Sequence, residues 1–318
     1  MVEDLTAQRV FERELALPDP QLGRQAGRLI GFSERYRRMQ RDLRLLMARD
    51  QIEQWSKAHY DIVVPLVRVA QDRYPLVIFH GDVGTGKTAT AEAIADALTR
   101  ELDREGMLLA LSTRVRGSGT VGQMSQLIHD AFEAVVAEAG KSRLAFLIID
   151  EADSLAATRG AEQSHHEDKV AVNTLIQRID DLRRCGGRVL AFLCTNRFAA
   201  LDPAIVRRAG RIERFDRPTA AERAELLRLE CEGLGLPDEV ITDVVRLTGP
   251  LGATRPVGYT FSDLRTRLLP EALARAFPDR KVLADDLLDA ARELLPSPSM
   301  TDQGVAGDER TADGRGEG

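Results

Sequence analysis

The chain has 318 residues, which at roughly 150 residues per domain predicts about two domains. An apolar fraction of 43% supports a buried core and excludes wholesale disorder. With 44 basic against 50 acidic residues the net charge is −6, which weighs against a free-standing nucleic-acid binder. Residues 1–60 read as a helical leader: Pro18, Pro20 and Gly23 interrupt it early, and Phe32 to Trp55 then carries Leu43, Leu46 and Met47 among many charges. From 61 to 217 strands and helices alternate. The strands are Leu76–Phe79, Met107–Leu111, Leu144–Ile149, Val189–Cys194 and Ile212–Phe215. Between them, Ala91, Ile94, Ala95 and Leu98 mark one helix, Gln123–Glu138 a second, and Val172, Leu175, Ile176, Ile179 and Leu182 a third. This alternation predicts an α/β sandwich around a parallel five-stranded sheet. From 218 to 295 the strand signal fades, and Ala220–Cys231, Asp238–Leu247, Ser262–Phe277 and Ala284–Leu295 read as helices of a small α-helical domain. Residues 296–318 are poor in bulky apolar side chains and read as a disordered tail.

No apolar run approaches the ~20 residues of a membrane helix. The opening MVEDLTAQRVFERE has no apolar stretch of a secretory signal. Cys185, Cys194 and Cys231 have neither the pairing nor the spacing of a disulfide framework or zinc site. The expectation is a cytoplasmic protein with no membrane partner.

Chemistry concentrates at two places. Gly81-Asp82-Val83-Gly84-Thr85-Gly86-Lys87-Thr88 fits G-x-x-x-x-G-K-[ST], between a predicted strand and a predicted helix. Glycines there let backbone N–H groups turn inward around phosphate oxygens, and the helix adds its positive end. Lys87 is expected on the β- and γ-phosphates of ATP and the Thr88 hydroxyl on Mg²⁺. Sixty-three residues after Lys87, the strand Leu144–Ile149 ends in Asp150-Glu151-Ala152-Asp153. Asp150 is expected to hold Mg²⁺ through water, and Glu151 to orient and polarise the attacking water.

These two motifs, with Thr195-Asn196-Arg197 and the run Leu201-Asp202-Pro203-Ala204 through Arg211, resemble the AAA+ ATPases over roughly residues 30–295. The resemblance implies a P-loop NTPase αβα sandwich with a small helical lid, Mg-dependent ATP hydrolysis, and a ring of identical subunits, most often a hexamer. It implies that Asn196 lies between the acidic motif and the γ-phosphate. It also implies that Arg208 and Arg211 act in trans on ATP bound by the neighbouring subunit. Gly31, in Ile30-Gly31-Phe32, and Gly258, in Val257-Gly258-Tyr259-Thr260, match segments near the adenine. The lid helix carries Phe261-Ser262-Asp263-Leu264-Arg265-Thr266-Arg267, which departs from the family's usual runs. Arg265 or Arg267 is the candidate there for the γ-phosphate.

In detail the chain is similar to the pachytene-checkpoint branch, whose members remodel HORMA-domain proteins. The similarity rests on Leu147 to Arg159, on Val172 to Asp180 leading into the Thr195-Asn196 turn, and on Leu269-Pro270 with Ala272-Leu273-Ala274. It implies a short bacterial form acting on a HORMA-domain protein in anti-phage signalling. Arg116-Gly117-Ser118-Gly119-Thr120-Val121-Gly122 falls where such rings place a central-pore loop, and lacks the usual aromatic; a plain surface loop is the alternative. Gly160 to Asp168, with His165 and His166, is read as a second pore loop or a solvated turn rather than a metal site. A competing function is a nucleotide-gated DNA-handling module, with Arg114 and Arg116 as its support. A third, a switch that barely hydrolyses, sits poorly with the intact Lys87, Glu151, Asn196 and Arg208.

Overall fold

Four short apolar segments form the middle of one six-stranded sheet in the computed structural model, which describes residues 10–111, 123–154 and 166–299. The pore-loop candidates 116–122, Arg114 and most of the 160–168 loop lie outside the described residues. Strands β1 (Phe11–Leu17), β2 (Leu76–Gly81), β3 (Gly106–Leu111), β4 (Leu144–Ile149), β5 (Val189–Thr195) and β6 (Arg211–Phe215) are ordered β1-β3-β4-β5-β2-β6. All pairings among β2 to β6 are parallel. Every residue of β4 and β5 is buried, as expected for central parallel strands covered on both faces.

The sixth strand corrects the reading of residues 1–60 as purely helical. β1 lies antiparallel on β3, with Leu17 opposite Gly106 and Phe11 opposite Leu111. Its sequence FERELAL buries both ends and exposes Glu12, Glu14 and Ala16, the charged pattern of a protected edge strand. Pro20 does not break a helix but begins one, α1 (Pro20–Ala26). Asp19 accepts from the amides of Gln21 and Leu22, and the first turn needs no N–H from proline. The expected helix Phe32–Trp55 divides at Ala48 into α2 (Phe32–Met47) and α3 (Arg49–Tyr60), followed by α4 (Pro65–Gln71). Met39, Leu43, Leu46 and Met47 of α2 fall at i, i+4, i+7 and i+8 and are buried with Val77, Phe79 and Phe192. The leader is thus part of the core that supports the sheet.

Alternate sheet side chains feed two cores. Val77, Phe79, Phe146, Ile148 and Phe192 face α5 (Lys87–Glu101) and the leader. Ile78, Leu109, Leu147, Ile149 and Leu193 face α6 (Gln123–Ala139) and α7 (His166–Leu182). A short α8 (Pro203–Val206), capped by Asp202, precedes β6.

The lid has its own core of Leu226, Leu227, Ile241, Val244, Tyr259, Leu264, Leu268, Leu287 and Ala290. It is built from α9 (Ala220–Glu230), α10 (Asp238–Leu247), a π-helical turn Asp263–Leu268, α11 (Leu269–Ala274) and α12 (Ala284–Glu293). The expected single helix Ser262–Phe277 is widened over Asp263–Leu268, so that the Leu269 amide reaches back to the Leu264 carbonyl. Pro270 explains this: it offers no N–H and its ring crowds the preceding turn. Pro296–Ser299, expected at the start of a disordered tail, lie against the lid, with Ser297 Oγ donating to Asp263 Oδ1 at 2.6 Å. Among the described residues no helix is long and apolar enough to cross a membrane.

Candidate nucleotide-binding and hydrolysis site

The register of β2, β5 and β4 brings the chemistry to one edge. Phe79 pairs with Cys194 and Ile149 with Leu193, so the phosphate loop, Asn196 and Asp150 leave three neighbouring strands at the same level. In open α/β sheets this carboxyl edge is where ligands bind.

The loop Gly81–Lys87 turns through positive φ at Gly81 (135°), Gly84 (71°) and Gly86 (90°), conformations that side chains resist. A Cβ at Gly81 would fall on the Phe215 carbonyl. A Cβ at Gly84 would come within 2.7 Å of the Ser262 Cβ of the lid. No side chain caps the N-terminus of α5, which leaves its first N–H groups to an anion. Lys87 is 6% exposed and donates to the carbonyls of Gly81 (3.0 Å) and Asp82 (2.8 Å). Burial lowers its pKa from the ordinary lysine value, while nearby Asp150 and Asp82 oppose the shift. Phosphate oxygens are stronger partners for this ammonium than the two carbonyls. Thr85 Oγ1 closes the turn on the Asp82 carbonyl at 2.7 Å, and Val83 occupies the exposed crown.

Thr88 Oγ1 donates to Asp150 Oδ2 at 2.6 Å. A hydroxyl and a carboxylate held this close are hard oxygen ligands that suit Mg²⁺. Beside them opens a cleft of about 330 Å³ lined by Arg13, Thr88, Glu92, Ala110, Ile148 and Asp150. Arg13 of β1 pairs with Glu92 there at 2.7 Å, so the leader strand reaches the cleft beside Thr88 and Asp150. Cys194 is fully buried beneath Thr88. Burial pushes its thiol well up, so it stays protonated and chemically quiet.

Glu151 is exposed, has φ +46° and donates its amide to Asp150 Oδ1 at 2.8 Å. A non-glycine residue held in this region is strained. Thr195 Oγ1 donates to Asp153 Oδ1 at 2.8 Å and accepts from the Arg197 amide at 3.0 Å. These bonds clamp the turn after β5 to the turn after β4, with half-buried Asn196 between Asp150 and the loop in strand order. The sequence carried Thr195 and Asp153 in its motifs but no sign that they meet.

The other candidates lie elsewhere. Arg208 forms a two-pronged pair with Asp180 on α7, at 2.5 and 3.0 Å. Arg211 pairs with Asp42 (3.1 Å) and Glu213 (2.9 Å). It stands opposite Val77, at the start of β2, four residues and therefore roughly 13 Å from Gly81. Arg265 bonds Glu230 (2.9 Å) and the Arg28 carbonyl (2.6 Å), and Arg267 bonds Asp263 (3.1 Å) and the Leu295 carbonyl (2.9 Å). Neither of these two guanidiniums is directed to the phosphate loop. Gly31, at φ +72°, caps α2 beside Glu222 of the lid; Ile30 packs on the lid core and Phe32 on the sheet core. Gly258 is packed under the Thr248 carbonyl and accepts from Arg217 at 2.6 Å.

Residues 77–217 match the model of the ATPase family associated with various cellular activities (AAA). The chain is 48% identical over 294 residues to CD-NTase-associated protein 6 of Escherichia coli (strain KTE188), covering 92% of this chain and 98% of that one. It is 39% identical to CD-NTase-associated protein 6 of E. coli strain MS 115-1, covering 92% and 97%. A chain of the solved E. coli MS115-1 HORMA:CdnC:Trip13 complex superposes with a TM-score of 0.82 at 38% identity, covering 91% of this chain and 97% of that one. Rhizobiales Trip13 gives 0.67 at 33%, covering 91% and 99%. With the phosphate loop, acidic strand end and helical lid assembled as described, the chain belongs to the AAA family of ATPases, in the group of the Trip13-like CD-NTase-associated proteins.

Proposed function

We propose that this chain hydrolyses ATP with Mg²⁺ and uses the energy to remodel a HORMA-domain protein in cytoplasmic anti-phage signalling, working as a ring of identical subunits, most simply a hexamer. One observation carries the hydrolytic part. The strand order sets Lys87, the Thr88–Asp150 pair, Glu151 and Asn196 along one edge of the sheet. The partner class is supported by likeness along nearly the full length to a chain solved together with HORMA and CdnC. In this reading 1–60 is the leader, 61–217 the ATPase unit, 218–295 the lid and 296–318 the tail.

Lys87 exchanges its two carbonyl partners for the β- and γ-phosphates. Thr88 and Asp150 would hold Mg²⁺, which would supply positive charge against that developing on the phosphates. Glu151, exposed beside Asp150, orients and polarises the attacking water. Asn196 holds that water or the γ-phosphate from the neighbouring strand. Arg208 and Arg211 reach the nucleotide of the next subunit, because Arg211 lies at the end of the sheet opposite its own phosphate loop. Gly31, beside Glu222 of the lid, and Gly258, bonded to Arg217, are the positions assigned to the base in this reading.

The test is a pull-down from the native host with tagged Glu151→Gln in the presence of ATP. A stoichiometric HORMA-fold protein supports the reading. Recovery of DNA lost steeply with salt points instead to a DNA-handling module.

A further inference from the structure

The connection from β6 to the lid carries a guanidinium that no part of the mechanism above uses. Arg217 Nε donates to Asp82 Oδ2 at 2.5 Å, and both side chains are nearly buried, 11% and 5% exposed. Its two other nitrogens reach different segments: one donates to the Gly258 carbonyl of the lid at 2.6 Å, the other to the Ser297 carbonyl at 2.8 Å. One side chain therefore ties the second residue of the phosphate loop to the lid and to the chain beyond α12.

The same three segments also meet without it. The Ser262 amide donates to the Gly84 carbonyl at 3.1 Å, which fixes the start of the lid's π-helical turn on the crown of the loop. Asp263, 1% exposed, accepts from the Thr260 amide (2.9 Å), the Ser297 amide (3.1 Å) and the Ser297 hydroxyl (2.6 Å). The lid, the 296–299 segment and the phosphate loop are thus laced around Arg217.

Asp82 makes the arrangement consequential. A buried carboxylate in a loop that receives phosphates repels them unless a cation neutralises it. Lys87 cannot serve both, since its ammonium is the group that must leave for the phosphates. We propose that Arg217 is a positioning residue with two separable roles: it neutralises Asp82 so that the loop can accept phosphate, and it tethers the lid and the 296–299 segment to that loop. Nucleotide affinity and lid position are then set by one side chain at the hinge between sheet and lid. This rests on the ATP-binding reading given above, and deepens it.

The test uses the full chain and a fluorescent ADP analogue with magnesium. Arg217→Ala should weaken binding tenfold or more by taking from buried Asp82 the guanidinium it is paired with. Adding Asp82→Asn, which removes the charge and keeps the shape, should bring affinity back to within threefold of the parent. A double variant as weak as Arg217→Ala overturns the neutralising role, and so does an Arg217→Ala protein that binds like the parent. The tether is read without nucleotide, by hydrogen exchange over residues 258–263. Exchange should be at least tenfold faster in Arg217→Ala and stay fast in the double variant, because the Gly258 and Ser297 carbonyls still lack their donor. Unchanged exchange overturns the tether. Arg217→Lys guards against a misfolded alanine variant: it keeps the charge but not the three-way fork. It should bind within threefold and exchange fast, and weak binding by this variant overturns the neutralising role. Lys87→Ala is the control for the underlying reading. A parent chain that binds no ADP, or binds it unaffected by Lys87→Ala, refutes ATP binding at the loop, whereas the exchange measurement still decides the tether.

Discussion

Gly84 and Gly86 are both glycines of the phosphate loop with positive φ, yet the structure assigns them different reasons. At Gly86 an added Cβ meets nothing within 4 Å, so Gly86→Ala suffers only the left-handed backbone. That costs about 1–2 kcal/mol. At Gly84 the same backbone cost applies, and the Cβ also comes within 2.7 Å of Ser262 Cβ and 2.8 Å of Thr260 Oγ1. Neither neighbour is the free end of a flexible chain, since Thr260 Oγ1 accepts from the Asp263 amide at 3.0 Å and Ser262 is held by its own amide on Gly84. Overpacking of this kind adds about 1–3 kcal/mol. Gly84→Ala should therefore be less stable than Gly86→Ala by about 2 kcal/mol, or roughly 4–8 °C in melting temperature for a unit of this size. Paired thermal melts followed by circular dichroism measure the difference. Hydrogen exchange at Ser262 shows where it arises: faster in Gly84→Ala and unchanged in Gly86→Ala. Equal melting temperatures with equal exchange at Ser262 would refute the claim that the lid rests on the crown of the loop.

Glu151→Gln should keep ATP affinity near that of the parent and lose turnover by about a hundredfold or more, read by phosphate release; near-normal turnover removes Glu151 from the base role. Arg208→Ala should still assemble and bind ATP while hydrolysis falls about a thousandfold. Mixing it with Lys87→Ala subunits tests action across the interface, because some mixed interfaces pair an intact Arg208 with an intact loop. For Asp263, burial raises the carboxyl pKa, but hydrogen bonds from Ser297 and Thr260 outweigh it and hold the folded value below the ordinary 3.8. A depressed carboxyl stabilises the fold above its unfolded value, and that stability disappears as pH falls through the folded one. Protease cleavage near 296–299 should therefore stay slow above about pH 4 and accelerate below it, with Ser297→Ala moving the onset to higher pH; an onset unaffected by Ser297→Ala counts against the bond.

The parts of this protein legible in its sequence are those in which neighbours along the chain do the work. Continuous apolar runs such as Leu144–Ile149 announce buried parallel strands, the spacing Ala91, Ile94, Ala95, Leu98 announces a helix, and Gly81–Thr88 announces a phosphate cradle. Asp150 and Glu151 follow from their place at a strand end. What the sequence hid depends on partners brought together from far away. β1 looked like charged leader because three of its seven residues carry charge, and it becomes a strand only through the exposed edge of β3, a hundred residues on at Leu111. Arg208 and Arg211 reveal their partners Asp180 and Asp42 only in space, as does Arg217 with Asp82, 135 positions away. The sequence by itself determined the five parallel strands, the phosphate loop and the acidic pair, because side-chain periodicity and motif chemistry act over a few residues. Only the tertiary structure decided the sheet edge, the ion-pair partners and the lacing of lid to loop, because a charge selects among all the opposite charges that the topology carries into its reach.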